Sequence, residues 1–426
     1  LGLYHNILKQ RYNKIQMAKL GEKYLSGQII TYMGNKRKLL PVIGELVDKI
    51  QMELGRSLTI GDGFAGSGIV SRLLKTKAAE LYTNDLAGYS RTLNTCYLAT
   101  PDAETLKQIE LYVTAANKLA SAAGTQASAA GTQASAAAGT QASAAGTSAA
   151  GTSAAGTSKS AGTSAWISGN WAPATPEITE HDRVYFTYEN GKRIDVLRDY
   201  ITTLPPLYQP YLLAPLLVEC SIHNNTNGQF SAFYKDANAE KGAYGGKGGV
   251  DLKRITQPIT LPLPLFDPHP CKTVISQMDT NAWAKNLKQK LDIVYYDPPY
   301  NKHPYNIYYF LLDVINTWDK TITIPATNRG QPDDRIKSVY NSFNKATEAL
   351  EDLLIHTKAS YIILSYNDGG IIPIPILDAL LAKHGQTVEK IPIDHKTYNR
   401  LKGISNYKRE KEYKAVKEFM YVVKKK

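Results

Sequence analysis

The chain has 426 residues, 43% of them hydrophobic, and carries 50 Lys and Arg against 38 Asp and Glu for a formal charge of +12. That length exceeds one average domain, and no run approaches the roughly 18 to 20 apolar residues of a membrane span, which excludes a helical membrane protein and leads us to expect a soluble, cytoplasmic one. Three cysteines, Cys96, Cys220 and Cys271, stand far apart in no metal-ligand spacing, so neither a disulfide framework nor a bound metal is predicted, and the positive excess points to a polyanionic partner.

The chain opens on Leu1, so it is expected either to lack its true start or to begin at an alternative start codon written literally. Leu39, Leu40, Ile43, Leu46, Val47, Ile50 and Leu54 recur at helical spacing and predict a helix over 39–54. A strand then leads into Gly61, Asp62, Gly63, Phe64, Ala65, Gly66, Ser67 and Gly68. A helix follows through Ile69, Val70, Leu73 and Leu74, and a second strand over 79–83 ends at Asn84 and Asp85. Strand, glycine turn, helix and strand make a βαβ unit, so a parallel sheet is the economical expectation.

Between 120 and 165 the composition turns to repeats of Ala, Ser, Gly, Thr and Gln, as in Ala127–Gln133. Side chains this small bury too little surface to offset chain entropy, and glycines every few residues argue against an alanine-rich helix, so a flexible insertion is predicted. From 166 to 271 the chain is proline-rich and aromatic without βαβ rhythm, with a polar and aromatic patch from Asn224 to Lys235 and a glycine-rich run over 242–249. A separate, smaller module is predicted there. Sheet rhythm resumes near Thr273, continues through the apolar run Ile293 to Tyr296, and returns over 361–365 and 418–423. The expected fold class is α/β: one sheet domain contributed by 1–119 and 272–426, interrupted by the 120–165 insertion and the 166–271 module.

Two constellations carry chemistry. Asp297-Pro298-Pro299-Tyr300 follows the Ile293–Tyr296 strand. The prolines fix φ and remove two amide donors, which leaves nearby carbonyls free, and the carboxylate adds a charged lip to a rigid cup. A flat ring bearing an amino group fits: Tyr300 stacks on its face while Asp297 and the Pro298 carbonyl each accept an amine hydrogen. The Asp62–Gly68 cluster closes a strand and opens a helix, where glycines let backbone approach a ligand, and Asp85 ends the next strand roughly 20 residues later, where an acid can accept from ribose hydroxyls. A nucleoside ligand is expected, with a phosphate-bearing dinucleotide as the weaker alternative because full GxGxxG spacing is absent.

These residues resemble the Dam-like (alpha-group) DNA adenine methyltransferases, whose motifs run cofactor half, target-recognition insert, catalytic half. Tyr32-Met33-Gly34-Asn35-Lys36-Arg37 looks like the family's N-terminal cofactor motif, with Lys36 near the catalytic acid. Asp62, Phe64, Ala65, Gly66, Ser67 and Gly68 are similar to its glycine motif, with Gly63 where a larger apolar residue is usual. Asp85 matches the ribose-binding acid and Asp279 the acid that holds the cofactor's adenine amine, although Asp279 also suits a helix N-cap. Lys302 and His303 depart from the family's usual polar and arginine pair, and Leu364-Ser365-Tyr366-Asn367 is a familiar strand ending. The resemblance implies a Rossmann-like sheet that uses S-adenosylmethionine, with Asp297, Pro298, Pro299 and Tyr300 as the catalytic set.

It also implies methylation of adenine N6 in double-stranded DNA, as the modification part of a restriction system with a cognate endonuclease. Asn225, Gln229 and Lys235 are candidate base readers. Tyr398, Arg400, Lys402 and Lys408, within a stretch of interleaved bases and aromatics, are candidate DNA contacts. A catalytically silent DNA-binding regulator and the same chemistry on RNA are the alternatives. Cytosine C5 methylation would need Cys271 as a nucleophile after Pro270, but no strand precedes that pair. The sequence leaves oligomeric state open.

Overall fold

The computed structural model describes residues 21–32, 34–140, 165–302, 304–333, 337–393 and 417–426. Seven strands, β1 (Leu58–Asp62), β2 (Ala78–Asp85), β3 (Lys272–Gln277), β4 (Leu291–Tyr296), β5 (Ala359–Asn367), β6 (Gly385–Ile393) and β7 (Glu418–Lys425), form one sheet in the order β3-β2-β1-β4-β5-β7-β6. The pairs from β3 through β5 are parallel, and β7 runs antiparallel between β5 and β6. The main helices are α1 (Leu40–Leu54), α2 (Ile69–Lys75), α3 (Gly88–Tyr97), α4 (Ala103–Thr140), α5 (Tyr188–Thr203), α6 (Gln209–Ile222), α7 (Thr280–Asn286), α8 (Asn306–Thr317), α9 (Ala346–His356) and α10 (Ile374–His384). No helix among the described residues is long and apolar enough to cross a membrane.

The central strand β4 is buried at all six positions. Its side chains alternate between two cores: Ile293 and Tyr295 pack with α1 and α2, while Val294 and Tyr296 pack with α7, α9 and α10. Helices on both faces are what a parallel sheet requires. The α1 helix is set by the predicted apolar spacing, with Leu40, Ile43, Leu46, Val47 and Ile50 buried, and it ends at Gly55, whose left-handed φ of 64° lets its amide bond the Gln51 carbonyl. Asp292, buried within β4, is satisfied by Arg56 and by the Thr59 amide at 2.8 Å.

Two expectations are corrected. The chain from 120 to 140 is not a flexible loop; it continues α4 to Thr140, and residues 141–164 lie outside the described part. Ala116 and Ala120 are fully buried, and a Cβ on Gly124 would stand 2.5 Å from the Arg193 guanidinium of α5, so small residues let the two helices approach closely. Each glycine costs about 1 kcal/mol of helix propensity, but a helix already nucleated over 103–120 and rich in alanine carries that cost. The 166–271 module, in turn, does not fold around a core of its own. Trp171, Tyr185, Phe186, Ile194, Leu197, Leu212 and Leu216 share one buried cluster with Leu93 of α3, Ile109 of α4 and Phe310 of α8. The module is built onto the flank of the sheet domain.

Candidate active site

Strand order reverses between β1 and β4, since β1 leads outward to β2 and β4 outward to β5. At such a switch point the loops after neighbouring parallel strands diverge and leave a crevice at their carboxyl ends. Asp62 of β1 pairs with Tyr295 of β4, so the glycine turn and the Asp297 loop emerge side by side. A cleft of about 330 Å³ opens there, lined by Tyr32, Phe64, Gly66, Asp85, Asp279, Asp297 and Pro299 among others. The two halves that the sequence separates by more than half its length therefore share one cavity.

On the first side, Gly66 has φ 51° and gives its amide to Asp85 Oδ2 at 2.7 Å, while Asp85 Oδ1 takes the Ala87 amide at 2.9 Å. Burial raises the Asp85 carboxyl above its ordinary value and these amides hold it down. A Cβ at Gly66 would meet the Tyr32 ring at 3.2 Å, so only glycine allows that approach. Tyr32 in turn stacks on Tyr305 and Tyr309, with centroids 5.2 and 4.8 Å apart. Asn84, buried beneath, bonds the Met278 carbonyl and amide at 3.0 and 3.1 Å and so sets the position of Asp279. Asp279 does cap α7, Oδ1 accepting the Asn281 and Ala282 amides, and it lines the cleft as well.

On the second side, Asp297 Oδ1 turns inward to Lys36 Nζ at 3.1 Å, and the same ammonium lies 2.9 Å from Glu418 Oε1. Burial pushes the Asp297 carboxyl up to about 6; Lys36 pulls it down and Glu418 pushes it further up. Burial works against the Lys36 charge, yet Asp297 and its neighbours hold the ammonium well above the ordinary lysine value. The loop after Asp297 is pinned at two carbonyls: Ile371 donates its amide to Tyr300 at 3.0 Å and Asn341 its side-chain amide to Asn301 at 2.7 Å. Tyr366, whose hydroxyl accepts the Ile372 amide, packs edge-on to Tyr300 with centroids 6.1 Å apart. The Leu364–Asn367 strand ending thus braces the Tyr300 ring.

Gly63 finds its reason in Tyr296. A Cβ there would stand 2.4 Å from Tyr296 Cε1, and that ring is fully buried with its hydroxyl 2.7 Å from Thr357 Oγ1, so it cannot give way. Gly63→Val is therefore expected to lower stability by about 1–3 kcal/mol in urea denaturation, with part of the loss recovered when Tyr296 is also truncated to Ala.

Not every candidate residue reaches the cleft. Asp62 is fully buried beneath the turn, accepts the Ser71 hydroxyl at 2.6 Å and is pushed up to about 7 by burial, so it braces the start of α2. Ala65, Ser67 and Gly68 shape the turn from behind, Lys36 stands behind Asp297, and Pro298 and Tyr300 flank the cavity without lining it. Asn225 is corrected as a base reader: it is fully buried, and its amide bonds the Val184 and Ala243 carbonyls at 2.9 and 3.0 Å. Gln229 is half-buried and Lys235 exposed. His303, Tyr398, Arg400, Lys402 and Lys408 lie outside the described residues. Cys271 is half-buried just before β3, where burial pushes its thiol up to about 11, the reverse of an activated nucleophile. Glu418 was legible only as the first residue of an apolar strand; a lone acid in that position was the one available signal.

A nucleoside-sized cleft lies over the switch point, with an acid lining it and an aromatic flanking it at the end of β4. Residues 32–125 match the family of D12 class N6 adenine-specific DNA methyltransferases. The chain is 26% identical over 419 residues to the Type II methyltransferase M.NlaIII of Neisseria lactamica, covering 93% of this chain and 99% of that one. It is 29% identical over 221 residues to the Type II methyltransferase M.CviAII of Paramecium bursaria Chlorella virus 1, covering 51% of this chain and 61% of the relative. It is also 24% identical over 360 residues to the modification methylase LlaI of Lactococcus lactis subsp. lactis, covering 80% of this chain but 47% of that longer protein. The chain is thus similar to D12 class N6 adenine-specific DNA methyltransferases over residues 32–125, and to Type II methyltransferases over a larger part of its length.

Proposed function

We propose that this chain transfers the methyl group of S-adenosylmethionine to adenine N6 in double-stranded DNA, as the modification partner of a restriction endonuclease in the cytoplasm. The observation that carries the reading is the shared cavity: Asp297 faces the same cleft as Gly66, Asp85 and Asp279. Its volume is within the range of cofactor sites. Phe64 and Gly66 offer a ring and an open backbone, and Asp85 and Asp279 offer carboxylates for ribose hydroxyls and an adenine amine, so the residues present fit the cofactor. When bound, it supplies a methyl group made electrophilic by its sulfonium.

The chain's own residues do the rest. An exocyclic amine is a weak nucleophile because its lone pair is delocalised into the ring. Asp297 and the Pro298 carbonyl accept its two hydrogens, localise the lone pair and aim it, while Tyr300 stacks on the ring. In a duplex the amine is paired, so the base must leave the stack to reach Asp297. Gln229, Lys235, Tyr398, Arg400, Lys402 and Lys408 are the proposed DNA contacts, the basic ones giving a salt-dependent grip on phosphate. The Type II names of two relatives support the restriction context.

The test is transfer of tritium from labelled cofactor to mixed-sequence DNA, followed by sequencing of methylated adenines. Incorporation at one short sequence is expected. Binding to DNA without incorporation would instead identify a silent regulator. The rate should also fall about tenfold per unit as pH drops through about 6, because a protonated Asp297 loses an acceptor; a flat profile from pH 7 to 5 would contradict its role.

A further inference from the structure

Lys36 serves two acids that arrive from different strands. Asp297 follows β4, and Glu418 opens β7, where it lies opposite Asn367 of β5 and Ile393 of β6. The three side chains are 5%, 19% and 10% exposed for Lys36, Asp297 and Glu418. Ser365 of β5 donates its hydroxyl to Glu418 Oε1 at 2.9 Å, the oxygen that also faces the ammonium. Asn35 caps the short turn Lys36–Leu39 by accepting the Arg37 amide, which fixes the backbone from which Lys36 reaches in. Two carboxylates around one ammonium leave a net negative charge, and that charge sits where an amine hydrogen must be accepted.

We propose that Glu418 is a positioning residue for methyl transfer: by sharing Lys36 it keeps the ammonium from closing fully on Asp297, so that Asp297 remains a strong acceptor toward the cleft. This rests on the methyl-transfer reading of the site. An ammonium bound by Asp297 alone would draw electron density from the carboxylate and weaken the hydrogen bond that activates the amine. Shared with Glu418, it holds Oδ1 in place without neutralising the group. Other groups facing Asp297 are Tyr295 of β4, Tyr300, Tyr305 before α8, and Asp62 of β1. Of these, Asp62 is the other carboxyl group, and it approaches from β1, a strand apart from the Lys36 triad.

Glu418→Gln keeps the size of the side chain and removes its charge. In the full-length protein, carbon-13 NMR titration of the Asp297 carboxyl, assigned against Asp297→Asn, should show its midpoint moving to lower pH. The acid limb of kcat should move the same way. At neutral pH kcat should fall roughly ten- to hundredfold with KM for DNA little changed. Ser365→Ala, which keeps both charges and frees Glu418 to pull harder on Lys36, should move the midpoint upward and guards against a Gln variant that fails to fold. An unmoved Asp297 midpoint in both variants, with wild-type transfer intact, would overturn the assignment of Glu418 alone. A wild-type chain that transfers no methyl group would overturn the underlying reading and this inference with it.

Discussion

Asp297→Ala should reduce methyl transfer by roughly a thousandfold or more while cofactor affinity stays within a few fold. The carboxylate faces the cleft and its other oxygen is held by Lys36 at 3.1 Å, so its removal deletes an acceptor without removing a wall of the nucleoside side. Folding should survive, because Lys36 keeps Glu418 as a partner at 2.9 Å and the buried cation is not stranded. Single-turnover transfer and calorimetric cofactor binding separate the two effects. An active variant would contradict the assigned role, and a variant with grossly weakened cofactor binding would move Asp297 to the other half of the site.

Lys36→Met is the complementary case, and its effect on stability should be the larger one. Without the ammonium, Asp297 and Glu418 face each other across a largely buried space with no cation between them. Removing one member of a buried ionic cluster costs about 3–5 kcal/mol, and transfer should be lost with it. The sign of the pH dependence follows. The folded Asp297 carboxyl would hold its proton more tightly than the unfolded chain does, so the deficit should shrink as pH falls through its raised folded value. Adding Glu418→Gln should recover part of the lost stability, which urea denaturation of the single and double variants would measure. Equal losses in both would show that Lys36 matters by packing alone.

The features legible in the sequence were those whose chemistry is local. Asp62–Gly68 and Asp297–Tyr300 announce a glycine turn and a rigid acidic loop by their own backbone constraints, and the apolar runs on either side identify the strands that carry them. Several other features were set by distant partners. Asn225 read as a surface polar residue because nothing nearby in sequence reveals the Val184 and Ala243 carbonyls it satisfies. The edge strand β6, exposed along most of its length, lacks the apolar alternation that marks a buried strand, and it escaped notice. The alanine-rich segment was judged on entropy, whereas its first part is decided by packing against α5. Gly63 looked anomalous until Tyr296 was seen in the space a larger residue would need.

The antiparallel placement of β7 has a temporal consequence. Lys36 and Asp297 both precede Glu418 in the chain, so synthesis brings out the ammonium and the first acid before the second acid joins them. Competence to modify DNA would then wait on β7, which is made after both and slots between β5 and β6. Partly made chains could grip a nucleoside without yet being tuned to act on a base.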